Sequence, residues 1–194
     1  MQKTDLSLPG LLVFFGLTAS GKSTLAQACA KVHELPYYNT DRVRKELAGL
    51  SPSTRRPDGI NQGIYTAELT RKTYRTMLGG AMADIHNGHS CVVLDGSYSS
   101  GEQREEVVAL ASSLSIQPVF VFCVCSEEEV RRRLQLRAKD TEAVSDGRWE
   151  IYLHQLKSFD IPKSIAGARL IQVNTEQEIE SLLTTLENLL NNTA

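Results

Sequence analysis

The sequence predicts an α/β fold, a parallel sheet covered by helices on both faces. Three observations predict it. Short apolar runs alternate along the chain with longer stretches of helical pattern, the arrangement expected of repeated strand–helix–strand units. One run, Gln117–Cys125, is almost wholly apolar, as a strand buried on both faces must be. The ends of the runs carry Gly16, Asp41 and Asp95, and ligands of such sheets bind outside the carboxyl ends of the strands.

The first strand is expected over 11–15, where Leu11-Leu12-Val13-Phe14-Phe15 is a five-residue apolar run. A helix over 22–33 follows, opened by Thr24-Leu25-Ala26-Gln27-Ala28, which are mostly good helix formers. Further strands are expected at Pro36–Asn39, Ser90–Asp95, Gln117–Cys125 and Arg169–Val173. Helices are expected at 41–49, 64–87, 101–115, 126–138, 147–158 and 176–191. Crossovers between parallel strands should be right-handed. The loops Gly49–Gly63 and Lys139–Gly147 are long for such a domain, and long loops serve as lids or substrate loops or are plain surface insertions.

The chain has 194 residues and is 41% hydrophobic, enough for one core of ordinary size and too little for two. A single domain over 1–194 is expected, with a lid over about 133–147 and a frayed end at 191–194. The formal net charge of −2 gives no basic footprint, so tight nonspecific binding to nucleic acid is not indicated. Cys29, Cys91, Cys123 and Cys125 form no Cys-x-x-Cys pair and read as small buried hydrophobes in a reducing compartment. His33, His86, His89 and His154 lack metal-ligand spacing. The apolar stretch from Leu6 to Ala19 is interrupted by Pro9-Gly10, which argues against a signal peptide, and no later run approaches a membrane span. A soluble, cytoplasmic protein, monomer or homodimer, is expected.

Gly16-Leu17-Thr18-Ala19-Ser20-Gly21-Lys22-Ser23-Thr24 fits the phosphate-binding loop, a glycine, four residues, then Gly-Lys-Ser. Strand before and helix after it put main-chain N–H groups and a helix N-terminus around phosphates. In such a loop Lys22 reaches the β- and γ-phosphates of ATP and the Ser23 hydroxyl binds Mg²⁺. Asp41, after the second strand, suits a helix N-cap and equally suits an acceptor for the proton of an attacking hydroxyl; the two roles are compatible. Arg44, one helical turn later, can hold an anionic group of the acceptor substrate. Cys91-Val92-Val93-Leu94-Asp95 reads as a strand ending in a carboxylate for Mg²⁺ or for the acceptor, or as a strand before an Asp95-Gly96 turn. In the 126–138 helix acidic residues come first and basic residues last, as helix electrostatics favour. Arg133 and Arg137 share one face at the root of the expected lid, where guanidinium groups can neutralise a transferring phosphoryl group. Arg131 and Arg132 are expected in solvent.

With these residues in view the chain resembles the P-loop small-molecule kinases, which include gluconate kinase, zeta-toxin kinases and polynucleotide 5′-hydroxyl kinase. It is most similar to bacterial kinases labelled AAA-family ATPases, often fused to an aminoglycoside-phosphotransferase-like domain that these 194 residues do not contain. The likeness lies in Gly16–Thr24, Asp41-Arg42-Val43-Arg44-Lys45-Glu46-Leu47-Ala48-Gly49, Gly63-Ile64-Tyr65, Val93-Leu94-Asp95-Gly96-Ser97-Tyr98, Arg104, and Arg133-Leu134 with Arg137, between about Leu11 and Pro162. The resemblance implies a P-loop NTPase fold with five parallel strands in the order 2-3-1-4-5. It implies Asp41 as base and Arg44 as acceptor ligand, with Arg133 and Arg137 near the ATP phosphates. The expected activity is ATP- and Mg²⁺-dependent phosphoryl transfer to a hydroxyl of a small molecule or a nucleic-acid end. The alternative is a nucleotide-binding or ATPase module without transfer, regulatory or motor-type. A GTPase is disfavoured by the lack of an Asn-Lys-x-Asp motif.

Overall fold

The computed structural model describes residues 8–54, 62–139 and 148–192. Part of the Gly49–Gly63 loop with Arg55 and Arg56, the expected lid beyond Lys139, and the last two residues lie outside them. In chain order the elements are β1 (Leu11–Phe15), α1 (Lys22–Val32), β2 (Tyr37–Asn39), α2 (Thr40–Leu47), α3 (Ala67–His86), β3 (Val92–Asp95), α4 (Gly101–Ser113), β4 (Pro118–Val124), α5 (Glu127–Lys139), α6 (Trp149–Ser158), β5 (Arg169–Asn174) and α7 (Ile179–Asn191). The strands form one sheet in the order β2-β3-β1-β4-β5, every pairing parallel. The fold class and strand order match the sequence expectation.

All five residues of β1 are fully buried, because it is the central strand. Alternate side chains leave a strand on opposite faces, so its hydrophobes divide between two layers. Leu12 and Phe14 face the core built with α1 and α7, which contribute Leu25, Cys29, Leu182 and Leu186. Leu11, Val13 and Phe15 face the core built with α3 and α4, including Tyr74, Met77 and Val107. Each fully buried Leu, Val or Phe stabilises the fold by roughly 1.5–3 kcal/mol. Cys29, Cys91 and Cys123 are buried free thiols inside these layers, and burial pushes the first two up to about 12. A third, smaller cluster joins Ala19 to Val130 and Leu134 of α5 and Tyr152 of α6.

Helix limits depart from the periodic pattern where capping decides them. α2 ends at Leu47 because Gly49, at φ 70°, closes it: Leu50 N donates to Lys45 O and Gly49 N to Glu46 O. The expected 64–87 helix splits into a 3-10 turn at Gly63–Tyr65 and α3, with Thr66 between them accepting from Leu69 N. Ser100 and Gln103 form a reciprocal capping box at the start of α4. Among the described residues no helix is long and apolar enough to cross a membrane.

Candidate active site

The phosphate loop runs between the end of β1 and the start of α1. Two of its glycines are required by space and backbone angle. Gly16, at φ 142°, would put a Cβ 2.5 Å from Cys123 O, and Gly21, at φ 83°, would put one 2.6 Å from Thr175 Oγ1. Ala19 also takes a positive φ, 60°, at the crest of the loop. Lys22 folds back over the loop, and its Nζ donates to Leu17 O at 3.0 Å. Burial pushes the Lys22 ammonium below its ordinary pKa, opposed by Asp95 and Asp41 and assisted by Arg137. An ammonium held in that state favours an arriving polyanion.

Strand register brings the next groups alongside. Asp95 of β3 pairs with Phe14 of β1 on one side and with Asn39 of β2 on the other. Its carboxylate is fully buried. Oδ2 accepts from Asn39 Nδ2 at 2.6 Å and from Tyr37 OH at 2.7 Å, while Oδ1 is buried without a hydrogen bond. Burial raises the Asp95 pKa; Lys22, Tyr37, Asn39 and, least, the Ser23 hydroxyl pull it back. Burial likewise raises the Tyr37 phenol, so it stays a donor. Sequence patterning passes over Tyr37 and Asn39, because nothing local marks them. The signal is the strand register, which places them beside Asp95.

Asn39 also settles the helix cap. Its Oδ1 accepts from Asp41 N and Arg42 N, both at 3.1 Å, so Asn39 caps α2 and Asp41 does not. The Asp41 side chain is 22% exposed and takes an ion pair from Arg44 Nη1 at 3.1 Å. Arg44 is buried, lies over the Tyr65 ring at 4.9 Å, and leaves its Nε without a hydrogen bond.

A cleft of about 600 Å³ opens over these residues, lined by Lys22, Ser23, Asp41, Arg42, Asn39 and Arg137 among others. A second, of about 380 Å³, shares Gly21, Thr24 and Arg137 with it and adds Arg133, Thr175 and Gln177. Lys22, Ser23, Asp41 and Arg137 therefore converge on one cavity, with Asp95 buried behind Ser23 and Lys22. Arg133 sits apart, in the second cleft. Its Nη1 donates to Ala19 O at 3.2 Å and to Thr175 Oγ1 at 3.0 Å, its Nη2 to Thr175 O at 2.6 Å, and its Nε to Glu129 Oε1 at 2.7 Å. Thr175 in turn donates to Ser20 O at 2.7 Å. Arg104 fastens the segment after Asp95, donating to Tyr98 O at 2.8 Å and pairing with Asp160. Among the described residues no group of three or more His, Cys, Asp or Glu side chains is arranged to hold a metal ion.

A parallel sheet of order 2-3-1-4-5, a glycine loop after its central strand and a carboxylate on the adjacent strand end define the fold of the P-loop kinases. The chain belongs to the family described as AAA domain (AAA_33), whose model matches residues 11–162. It is 28% identical over 123 residues to an uncharacterised protein of Mycobacterium tuberculosis H37Rv, covering 63% of this chain and 24% of that protein. The chain thus spans about a quarter of the length of the curated relatives it matches. Among solved structures, a sugar kinase from Janibacter superposes with a TM-score of 0.68 at 16% identity, covering 96% of each chain. The APS kinase of Mycobacterium tuberculosis, solved with AMPPNP and APS, superposes with a TM-score of 0.63 at 21% identity, covering 95% of this chain and 99% of that one. At these identities the likeness is one of fold.

Proposed function

We propose that the protein is a kinase that transfers the γ-phosphoryl group of ATP to a hydroxyl of a small molecule or a nucleic-acid end. The observation that carries the reading is the convergence of Lys22, Asp41 and Arg137 on one cleft at the carboxyl edge of the sheet. Within the Gly16–Thr24 loop, the main-chain N–H groups of Gly21–Thr24 at the start of α1 hold the polyphosphate, with Lys22 on the β- and γ-oxygens. Those of Gly16, Thr18 and Ser20 bond within the protein and shape the loop. The acceptor hydroxyl lies between Asp41 and the γ-phosphorus. Its oxygen forms the new P–O bond as the bond to the β–γ bridging oxygen breaks; its proton passes to Asp41 and ADP leaves. Arg44, buried and outside the cleft lining, fixes the Asp41 carboxylate through its Nη1 and lends that side of the site positive charge for an anionic acceptor. Arg137 neutralises charge on the transferring group, and Arg133, tied to Ala19 and Thr175, keeps the loop in place for that step.

The residues fit Mg²⁺. Asp95 Oδ1 is an unpaired buried oxygen, the Ser23 hydroxyl is adjacent to the same carboxyl, and hard oxygen donors suit this ion. Held by Asp95 and Ser23 together with the nucleotide, the ion would supply neutralisation of phosphate charge.

The test is transfer from γ-labelled ATP to a panel of sugars, nucleosides, 5′-hydroxyl oligonucleotides and aminoglycosides. Label is expected on one class. Lys22→Ala and Asp41→Asn are each expected to lower turnover at least about tenfold, about 1.4 kcal/mol of barrier. Full activity in Asp41→Asn removes that residue from the mechanism. ATP binding with no transfer to any hydroxyl favours a nucleotide-binding module instead.

A further inference from the structure

We propose that Gln155 is a positioning residue for Lys22, acting through a single peptide plane of the phosphate loop. The inference rests on the reading of Lys22 as the polyphosphate ligand.

The peptide that joins Leu17 to Thr18 is held at both ends. Its carbonyl, Leu17 O, accepts from Lys22 Nζ at 3.0 Å and from Ser20 N at 3.2 Å. Its N–H, that of Thr18, donates to Gln155 Oε1 at 2.7 Å, across 137 residues of sequence. A trans peptide is planar, with C=O and N–H pointing in opposite directions, and no described residue has a cis bond. Turning one end therefore turns the other. The side chain of Gln155 and the ammonium of Lys22 grip opposite ends of one rigid unit.

The grip is built into the packing. Gln155 lies on α6, and Tyr152, three residues earlier on that helix, is buried against Ala19, Val130 and Leu134. α6 is thus seated on the phosphate loop by apolar contact as well as by the Gln155 hydrogen bond. Thr18 is only 6% exposed, so its N–H has little water to turn to. A buried amide without a partner is costly, and the peptide rotates to avoid it. Rotation swings Leu17 O away from Lys22. The Lys22 ammonium is desolvated and depends on that carbonyl for its place, so it loses its aim at the phosphates.

Two substitutions approach the contact from its two sides. Gln155→Met keeps the length and bulk of the side chain and removes the acceptor; Thr18→Pro removes the donor. Calorimetric titration with Mg²⁺ and either AMPPNP or ADP reads the consequence, because Lys22 serves the β- and γ-phosphates together. Each variant is expected to bind AMPPNP about fivefold more weakly than wild type, the size of one lost neutral hydrogen bond. The loss for AMPPNP is expected to exceed the loss for ADP by at least about twofold, and the double variant to bind no more weakly than either single one. A merely structural contact would weaken both nucleotides alike, and additive losses would show that Gln155 and the Thr18 N–H act independently of each other. Wild-type affinity in Gln155→Met, equal losses for the two nucleotides, or additive losses would each overturn the proposal. If Thr18→Pro does not fold, the AMPPNP-to-ADP ratio of Gln155→Met decides by itself. A wild-type protein that binds neither nucleotide brings down the kinase reading and this inference together. A wild-type protein that binds both, beside an unchanged Gln155→Met, brings down the inference alone.

Discussion

Asn39 uses both ends of its amide: the oxygen caps α2 and the nitrogen donates to the buried Asp95 carboxylate. The sequence favours Asp41 for the cap by residue type, and the structure gives it to the residue two positions earlier, which leaves the Asp41 carboxylate turned to Arg44 and the cleft. Two variants separate the duties. Asn39→Ala removes both, and is expected to cost about 2 kcal/mol in urea unfolding, about 1 for the cap and about 1 for the lost donor. Asn39→Asp keeps an oxygen for the cap and sets a second carboxylate against Asp95. Two carboxyls in contact disfavour each other's charge, so its deficit is expected to be largest at high pH and to shrink as the pH falls and one of them takes a proton that it can donate to the other. A deficit in Asn39→Asp that ignores pH would mean that the donor to Asp95 contributes nothing. Asp95 itself titrates above the ordinary carboxylate range because of burial. Nucleotide binding by the wild type should therefore weaken, as pH falls, at a higher pH than an exposed carboxylate would produce; Asp95→Asn should lose that dependence in the same titration.

Helix α5 shows how one element carries two layers of charge. Its acidic first turn and basic later turns follow from helix electrostatics, and this much is legible in Glu127-Glu128-Glu129 ahead of Arg131-Arg132-Arg133. Glu129 is the hub: it accepts from Arg132 Nε and Nη2 and from Arg133 Nε, each at 2.7 Å. Those arginines, Arg132 first, hold its carboxyl down at about 2. Arg132 is 61% exposed, in keeping with the solvated role the sequence assigns it. Arg131 is more than that: its guanidinium lies 3.8 Å from the centre of the Trp149 ring and ties α5 to α6. Because the Glu129 pKa is depressed on folding, its stabilising contribution is present above the unfolded carboxylate pKa, near 4.5, and is lost as the pH falls toward about 2. Glu129→Gln is accordingly expected to be less stable than wild type in urea at pH 7 and to converge with it near pH 2–3. A stability difference that stays constant down to that pH would show that the pairing is spent on geometry and not on charge. The same variant leaves Arg133 Nε a neutral acceptor in place of a charged one, so looser seating of Thr175 and Ala19 should accompany it.

Most of the architecture is legible along the chain because strand and helix patterns are local. The apolar runs at 11–15 and 117–125 and the glycine loop mark β1, β4 and the phosphate site before any coordinate is known. What stays hidden is contact between distant segments: Tyr37 to Asp95, Arg133 to Ala19, Gln155 to Thr18. Periodicity reports which face of an element is apolar; it says nothing about which side chain will meet a loop more than a hundred residues away. Those contacts have a shared property. They all lie at the carboxyl edge of the sheet, near the half-buried Lys22 and the buried Asp95, whose charges desolvation opposes. The molecule therefore holds a costly set of charges at this edge, and a polyphosphate ligand should stabilise the whole fold. At a hundredfold excess over Kd, Mg²⁺ with AMPPNP is expected to add about 2.7 kcal/mol. For a chain of this length that raises Tm by roughly 5–10 °C in a thermal-shift measurement, taking about 2–4 °C per kcal/mol. At the same concentrations Lys22→Ala should forfeit most of the rise, and adenosine, which has no phosphates, should give little. If adenosine raised Tm as far as AMPPNP does, the base would be supplying the binding energy, and the glycine loop with its lysine would lose its place at the centre of the site.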